Sequence, residues 1–481
     1  MTLSSPPSIR QQEVLPRYWH RLDLQHRSGA DVFEALFYTS DIATLLESPD
    51  RVDGAPKDLI RYSLCAGAPR ETAAQPQIFT PAVGEILPTL SQLLTDQPSN
   101  QIISTSPTAP PNTLPFMGGW LGWLGFDTAW EIETLPYLKE DSLPFPVAYW
   151  YEPEQFAILD HQQQHLWLSA FSMADIETMV HQIKHHKPLV PGTSPTSQKV
   201  TLCSDQVQFE TAVQTAKDHI RAGDVFQVNL SLRFQTQTDS APWDVYRQLH
   251  QINPSPFASY WRSPWGHVIS CSPERLVQLH NQTAQTRPIA GTRPRGTTPE
   301  IDEAFAQTLQ ANHKERAEHI MLVDLERNDL GRVCNWGSVQ VNELMAIERY
   351  SHVMHLVSNV IGTLQPNFNA IDLIRATFPG GTITGCPKVR CMEIIETLEP
   401  LRRSLFYGSC GYLDRRGHLD LNILIRTLLL TPTKASSHNV WGQVGAGIVA
   451  DSNPHQEWLE SLQKAQAQLL ALGVSMNQTG V

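Results

Sequence analysis

The sequence predicts an α+β fold with a largely antiparallel sheet. Strand-like runs, alternating or rich in aromatic residues, recur along the chain. Amphipathic helical stretches fall among them without regular strand–helix alternation, and turns such as Asp414-Arg-Arg-Gly417 join strand pairs directly. A doubly wound parallel sheet would need the alternation that is missing.

In chain order, Val147-Ala-Tyr-Trp-Tyr and His165-Leu-Trp-Leu-Ser suit strands, because aromatic and β-branched side chains pack well on a pleated surface. Residues 208–222 read as an amphipathic helix, Val268 to Cys271 as a strand, and 300–327 and 370–376 as helices. Gly411 to Leu413, Asn422 to Leu429 and Gly442 to Val449 read as strands, and 454–472 as the last helix. Its start is well marked: Asn453 is a good N-cap, Pro454 suits the first helical position, and Gln456 stands three residues after the cap. Two breaks interrupt the pattern. Residues 96–115, rich in Ser, Thr and Pro, read as a long surface loop, and 187–199 as a linker. The expected domains are therefore 1–190 and 200–473.

With 481 residues the chain exceeds one ordinary core. Its formal net charge of -12, with no Lys/Arg block, argues against nucleic acid as a partner. An anionic substrate must then be held by a few placed cations. The N-terminal stretch Met-Thr-Leu-Ser-Ser-Pro-Pro is polar and does not read as a signal peptide, and no apolar run is long enough to cross a membrane. Seven cysteines form no Cys-x-x-Cys pair, which suits reduced thiols in a cytoplasmic protein.

Glu457, Glu460 and Lys464 fall at i, i+3 and i+7, on one face of the last helix. Alone, that spacing is an ordinary solvated stripe. Glu315 and Glu318 repeat the interval just before the apolar run Ile320-Met-Leu-Val323, at the edge of a segment expected to be buried. Two such carboxylate pairs can converge on one hard divalent cation, and oxygen ligands suit Mg²⁺. Phe378-Pro-Gly-Gly-Thr-Ile-Thr-Gly385 is either a tight turn or a loop whose amides, Thr382 and Thr384 bind a carboxylate. Gly445-Ala-Gly447 fits a bulge or a close approach to a ligand. Arg426, expected inside an apolar strand, needs an anion, either a structural carboxylate or a substrate. His352 and His355 have zinc-ligand spacing but no third ligand, which favours a core or substrate-orienting histidine.

Taken together, these stretches resemble the chorismate-utilising enzymes, specifically component I of anthranilate synthase and of 4-amino-4-deoxychorismate synthase. The carrying blocks include Gly223-Asp-Val-Phe-Gln-Val-Asn-Leu-Ser231, Ser272-Pro-Glu-Arg275, Arg287 to Gly296, His313 to Arg332, Gly380 to Met392 and Gly445 to Ser452. The resemblance implies large, mostly antiparallel sheets in a sandwich surrounded by helices, with 200–473 as the chorismate-binding domain. It also implies a Mg²⁺ ion held by Glu315, Glu318, Glu457 and Glu460, and a ring-carboxylate contact from Lys464. Arg426, Thr382, Gly445 and Gly447 match groups that hold the enolpyruvyl carboxylate, and Gly291 and Thr292 match further substrate contacts. Glu274 matches the acid that protonates the departing C4 hydroxyl, and His355 an active-site histidine beside the ring. The chain has no cysteine triad of a glutamine amidotransferase, so ammonia is expected from a separate glutaminase subunit. Leu45-Leu-Glu-Ser48 resembles a tryptophan-binding segment, which makes Leu46, Glu47 and Ser48 candidate contacts.

Three positions bear on the reaction. Gln227 stands where water-adding relatives carry a lysine base, which argues for amination. Ala290 stands where aminodeoxychorismate synthases usually carry a nucleophilic lysine and anthranilate synthases an alanine. Phe406 stands where anthranilate synthases place a carboxylate-binding tyrosine, and Tyr407 is expected to point elsewhere if the segment is a strand. The blocks Gln227-Val-Asn-Leu-Ser, Phe257-Ala-Ser-Tyr260 and Asp420-Leu-Asn-Ile423 resemble aminodeoxychorismate synthase. The expectation is therefore an aminodeoxychorismate synthase component I. Anthranilate synthase component I is the alternative, and a non-catalytic regulatory paralogue the third.

Overall fold

The computed structural model describes residues 16–49, 59–95, 101–189, 192, 199–350, 353–434 and 437–474. His352 and most of the expected linker, 190–198 apart from Gly192, lie outside the described residues.

Among the described residues, two large sheets carry the fold. The thirteen-stranded sheet runs from Thr201–Leu202 through Gln227–Thr238, His438–Ile448, Thr427–Pro432, Gly266–Ser272 and Phe257–Ser263 to Ala43–Glu47 and strands beyond. The ten-stranded sheet includes Ile289–Pro294, Val353–Thr363, Arg275–His280, Leu419–Asn422, Ser409–Asp414 and Gly119–Leu124. Pairing is antiparallel throughout except between Arg17–Asp23 and Ile102–Ser104. Both sheets cross the expected domain boundary: Glu47 pairs opposite Ala258, and Gly122 opposite Gly411.

Alternation along the strands sends neighbouring residues to opposite cores. Trp261 faces the second sheet, with its ring 5.8 Å from Trp123, whereas Tyr260 faces outward and packs edge-on against Phe33 and Trp243 of the covering helices. One core thus lies between the sheets and another between the larger sheet and its helices.

The helix expected from 208 spans Gln206–Ala222, capped by Asp205 and ended by Gly223 at φ +81°. The last helix spans Pro454–Ala471, with the Asn453 side chain accepting from the Gln456 amide. The expected helix 300–327 is instead two, Pro299–Ala311 and His313–Gly331. Asn312, at ψ 112°, leaves the helical region and caps the second helix through the Glu315 amide. The expected strand 422–429 is also broken. Leu419–Asn422 belongs to the ten-stranded sheet and Thr427–Pro432 to the thirteen-stranded one, and residues 423–426 carry the chain between them.

Candidate active site

That crossing positions Arg426. It lies outside any strand, at φ +53°, in the left-handed region that non-glycine residues seldom adopt. A second crossing runs beside it, because Ser272 ends a strand of the larger sheet and Arg275 begins one of the smaller. Glu274 sits on that bridge. The two crossings are joined: the Ile423 amide donates to Glu274 O at 3.0 Å, and Ser272 Oγ donates to Ile423 O at 2.6 Å.

The Glu274 side chain is buried, and burial raises its pKa from 4.5 to about 7; Thr382 and the Ile289 amide temper the rise. Thr382 Oγ1 approaches this carboxyl without closing a full hydrogen bond, and is itself buried and unpartnered. Thr384, by contrast, spends its hydroxyl on Gly380 O at 2.8 Å and so shapes the glycine loop rather than facing the site.

The strand Ile289–Pro294 lines the next wall. Its register against Val353–Thr363 shifts between Ala290 and Thr292, with Gly291 at φ +72° forming the bulge. Thr292 then pairs opposite His355, and Thr292 Oγ1 lies 2.9 Å from His355 Nδ1. Burial, helped by the nearby Arg426 charge, lowers the His355 pKa to about 4, so the ring is neutral near pH 7. Ala290 is half-buried on the same strand.

Opposite stands the inner face of the strands Gln227–Thr238 and His438–Ile448. Gln227 Oε1 and Asn229 Oδ1 are buried without hydrogen-bond partners, although such groups are nearly always satisfied. Their amides occupy space left by Gly447 and Gly445: a Cβ at Gly447 would overlap Gln227 Nε2, and one at Gly445 would come 2.8 Å from Asn229 Oδ1. Lys464 Nζ donates to Gly445 O at 2.9 Å, and Arg426 Nη1 donates to Lys464 O at 2.5 Å. Burial lowers the Arg426 pKa, and among the described residues no carboxylate pairs with it. Of the two anions the sequence left open for Arg426, a structural carboxylate is not found among the described residues.

Phe406 and Tyr407 correct the expectation drawn from strand alternation. Residues 404–407 form a turn, and Tyr407 takes φ +64°. Phe406 is 1 % exposed and packs in the core between the sheets. Tyr407 reaches towards Gly445 instead. Its buried hydroxyl lies 2.7 Å from where a Gly445 Cβ would be, and it has no hydrogen-bond partner. The neighbouring Ser231 hydroxyl is already committed to Glu399 and Gln443. Sequence reasoning missed Tyr407 because it assumed a strand; Gly408, which ends the turn, was the available signal.

The helices His313–Gly331 and Pro454–Ala471 bring their carboxylates towards one another. Burial raises the pKa of Glu318, and Glu315, Glu457 and Glu460 raise it further. Burial likewise raises that of Glu457. Glu315 Oε2 is buried without a partner against Gly291, where a Cβ would overlap it. All-oxygen donors, mutual repulsion and an unpartnered carboxylate oxygen fit a hard divalent cation. The carboxylates are nevertheless apart: among the described residues no three His, Cys, Asp or Glu side chains stand together around one point.

The segment Leu46 to Ser48 lies at a separate cavity, walled also by Tyr62, Pro256 and Tyr412. Ser48 Oγ donates to Leu59 O and Pro256 O. The Glu47 carboxylate accepts from the Ala30 amide at 2.8 Å and the Tyr246 hydroxyl at 2.5 Å, and so braces the start of the helix Gly29–Leu36.

Comparison with known proteins matches residues 64–470 to the chorismate binding enzyme family. The chain belongs to that family. Among its chorismate-binding relatives is an anthranilate synthase component I-like protein from Synechocystis sp., 59 % identical over 96 % of this chain and 93 % of that one. Aminodeoxychorismate synthase component 1 from Bacillus subtilis is 46 % identical over 76 % of this chain and 79 % of its own. The structure is similar to anthranilate synthase component I from Streptococcus pneumoniae, with TM-score 0.72 and 32 % identity over 85 % of this chain and 92 % of that one. As a chorismate-utilising component I with large antiparallel sheets and covering helices, it has the fold class its sequence predicts. Among the described residues no helix is long and apolar enough to cross a membrane.

Proposed function

We propose that this chain aminates chorismate as component I of a 4-amino-4-deoxychorismate synthase, using ammonia from a glutaminase subunit. Gln227 carries the amination. It is buried against Gly447, and an amide cannot take a proton from water at neutral pH, so hydration of chorismate has no base at that position. Similarity to the Bacillus subtilis enzyme and the blocks around Gln227, Phe257 and Asp420 support the aminodeoxychorismate product.

In this proposal Arg426, the Tyr407 hydroxyl and the Gly445–Gly447 backbone hold the enolpyruvyl carboxylate. Thr382, Gly291 and Thr292 line the substrate, and neutral His355 stands beside the ring. Lys464 contacts the ring carboxylate. Glu315, Glu318, Glu457 and Glu460 would hold Mg²⁺, which when bound supplies positive charge to that carboxylate. Protonated Glu274 gives its proton to the C4 hydroxyl, which departs as water; a carboxyl with a pKa near 7 suits that task. Ala290 leaves C2 open to ammonia, which adds there as the C4 hydroxyl departs as water; a second ammonia then adds at C4 as the C2 amine leaves as ammonia, without a lysine intermediate. The balance is chorismate plus ammonia giving aminodeoxychorismate plus water.

Two observations favour anthranilate as a second product. Ala290 has the side chain of anthranilate synthases, and Tyr407 supplies the hydroxyl that Phe406 lacks. Chorismate plus ammonia would then give anthranilate, pyruvate and water. Incubation with chorismate, Mg²⁺ and ammonium at alkaline pH, followed by mass analysis, distinguishes the products; unchanged chorismate would favour a non-catalytic paralogue. The protein is proposed to be cytoplasmic, in keeping with seven free cysteines. Tryptophan is the proposed occupant of the cavity at Leu46 and Ser48, and calorimetry showing no heat at millimolar tryptophan would count against it.

A further inference from the structure

Three of the four carboxylates facing the convergence of the two helices have basic partners of their own. Arg293 Nη2 lies 2.7 Å from Glu315 Oε1, Lys464 Nζ 2.8 Å from Glu460 Oε1, and Lys314 Nζ 3.7 Å from Glu318 Oε1. These pairs differ in kind. The lysines are one turn from their glutamates on the same helix, and the Glu460 and Lys314 side chains are each 52 % exposed, the setting in which ion pairs are weak and exchange readily.

Arg293 comes from another element. It stands on the strand Ile289–Pro294, two residues past the Gly291 bulge, and reaches Glu315 from the strand side. The Glu315 side chain is only 16 % exposed, and Arg293 Nη1 also donates to Thr292 O at 2.9 Å, which braces the guanidinium. Arginine commonly grips a carboxylate with two parallel bonds. Here it pairs with Oε1, while Oε2 lies buried against Gly291 without a donor. Glu315 is thus half-neutralised by a cation belonging to the substrate-lining strand.

We propose that Arg293 is a stand-in cation for Glu315: it holds the carboxylate while no divalent ion is bound and yields it when one arrives, so that Arg293 sets the affinity of the metal site. This rests on the assignment of the four glutamates to a divalent ion. It fits the finding that among the described residues no three such side chains stand around one point, since Glu315 pairs with the strand while Glu457 and Glu460 belong to the opposite helix. A fixed positive charge within a few ångströms of a divalent ion opposes its binding, and removing that charge strengthens binding by about tenfold or more at the effective dielectric of a protein surface.

The test uses Mn²⁺ as the probe and equilibrium binding followed by electron paramagnetic resonance on the full-length chain, with thermal melting in chelator as the check on folding. Arg293→Gln is expected to bind Mn²⁺ about tenfold more tightly than wild type. Arg293→Lys, which keeps the charge, is expected to stay near wild type. In an Glu315→Gln background the Arg293→Gln change is expected to have little effect, because the carboxylate it guards is gone. Equal or weaker Mn²⁺ binding by Arg293→Gln, with Glu318→Gln still abolishing binding, would overturn the role of Arg293 alone. Wild-type binding that survives Glu318→Gln would overturn the glutamate assignment and the role of Arg293 with it.

Discussion

The Ile423 amide donates to the Glu274 carbonyl at 3.0 Å, and that bond ties together the two places where the chain passes from one sheet to the other. Glu274 and Arg426 are therefore fixed by backbone pairing rather than by a mobile loop. The proposed general acid and the proposed carboxylate-binding cation, held on joined crossings, keep their spacing, which is what positioning a small substrate requires.

Glu274→Gln is expected to lower turnover by roughly 10²- to 10⁴-fold, the usual contribution of a general acid. In wild type, compared at constant free ammonia, the rate should fall as pH rises through about 7, where Glu274 loses its proton. A rate unaffected by the substitution would remove Glu274 from the chemistry.

The same group makes stability depend on pH. Its folded pKa of about 7 lies above the ordinary 4.5, so the folded state binds the extra proton between those values. The contribution is fully present below pH 4.5 and is lost as pH rises through 7, a fall of about 3 kcal/mol. The difference between wild type and Glu274→Gln in urea unfolding, followed across that window, should show this slope.

Tyr407→Phe is expected to raise the KM for chorismate about tenfold, as for one lost hydrogen bond to a charged group. Because the hydroxyl has no partner in the fold, melting temperature should hold or rise slightly. A variant that loses stability but keeps its KM would assign Tyr407 to packing.

Glu399→Ala tests the support behind Asn229 and the Gly380–Gly385 loop. Glu399 accepts from the Ser231 amide and pairs with Arg403, whose guanidinium also donates to Asn229 O and Ile383 O. Removing the carboxylate leaves Arg403, 2 % exposed, with a buried and uncompensated charge, at a cost of about 3–5 kcal/mol. Thermal unfolding would report it as a large fall in melting temperature.

Local signals made much of this legible. The Asn453 cap placed the last helix and amphipathic spacing placed Gln206–Ala222 within two residues, because both are properties of a few neighbouring positions. Likewise the blocks around Glu274, Arg426 and His355 marked them as candidates, and the fold brings the Arg426 charge near His355. What failed turned on a local break in the backbone or on partners distant in sequence. Asn312 interrupts a periodic helix because its side chain satisfies the Glu315 amide. The run 422–429 looks like one strand, but its two ends pair in different sheets. Tyr407 escaped for the same reason, since a left-handed turn reverses the alternation on which its orientation was judged. The bond from the Ala30 amide to Glu47, seventeen residues apart, was likewise invisible in the sequence.

The most direct test of the central proposal is the product formed from chorismate, Mg²⁺ and ammonium, identified by mass. The account predicts an amino-chorismate that retains its enolpyruvyl group, with no pyruvate released. Anthranilate with released pyruvate, isochorismate, or chorismate recovered unchanged would contradict it.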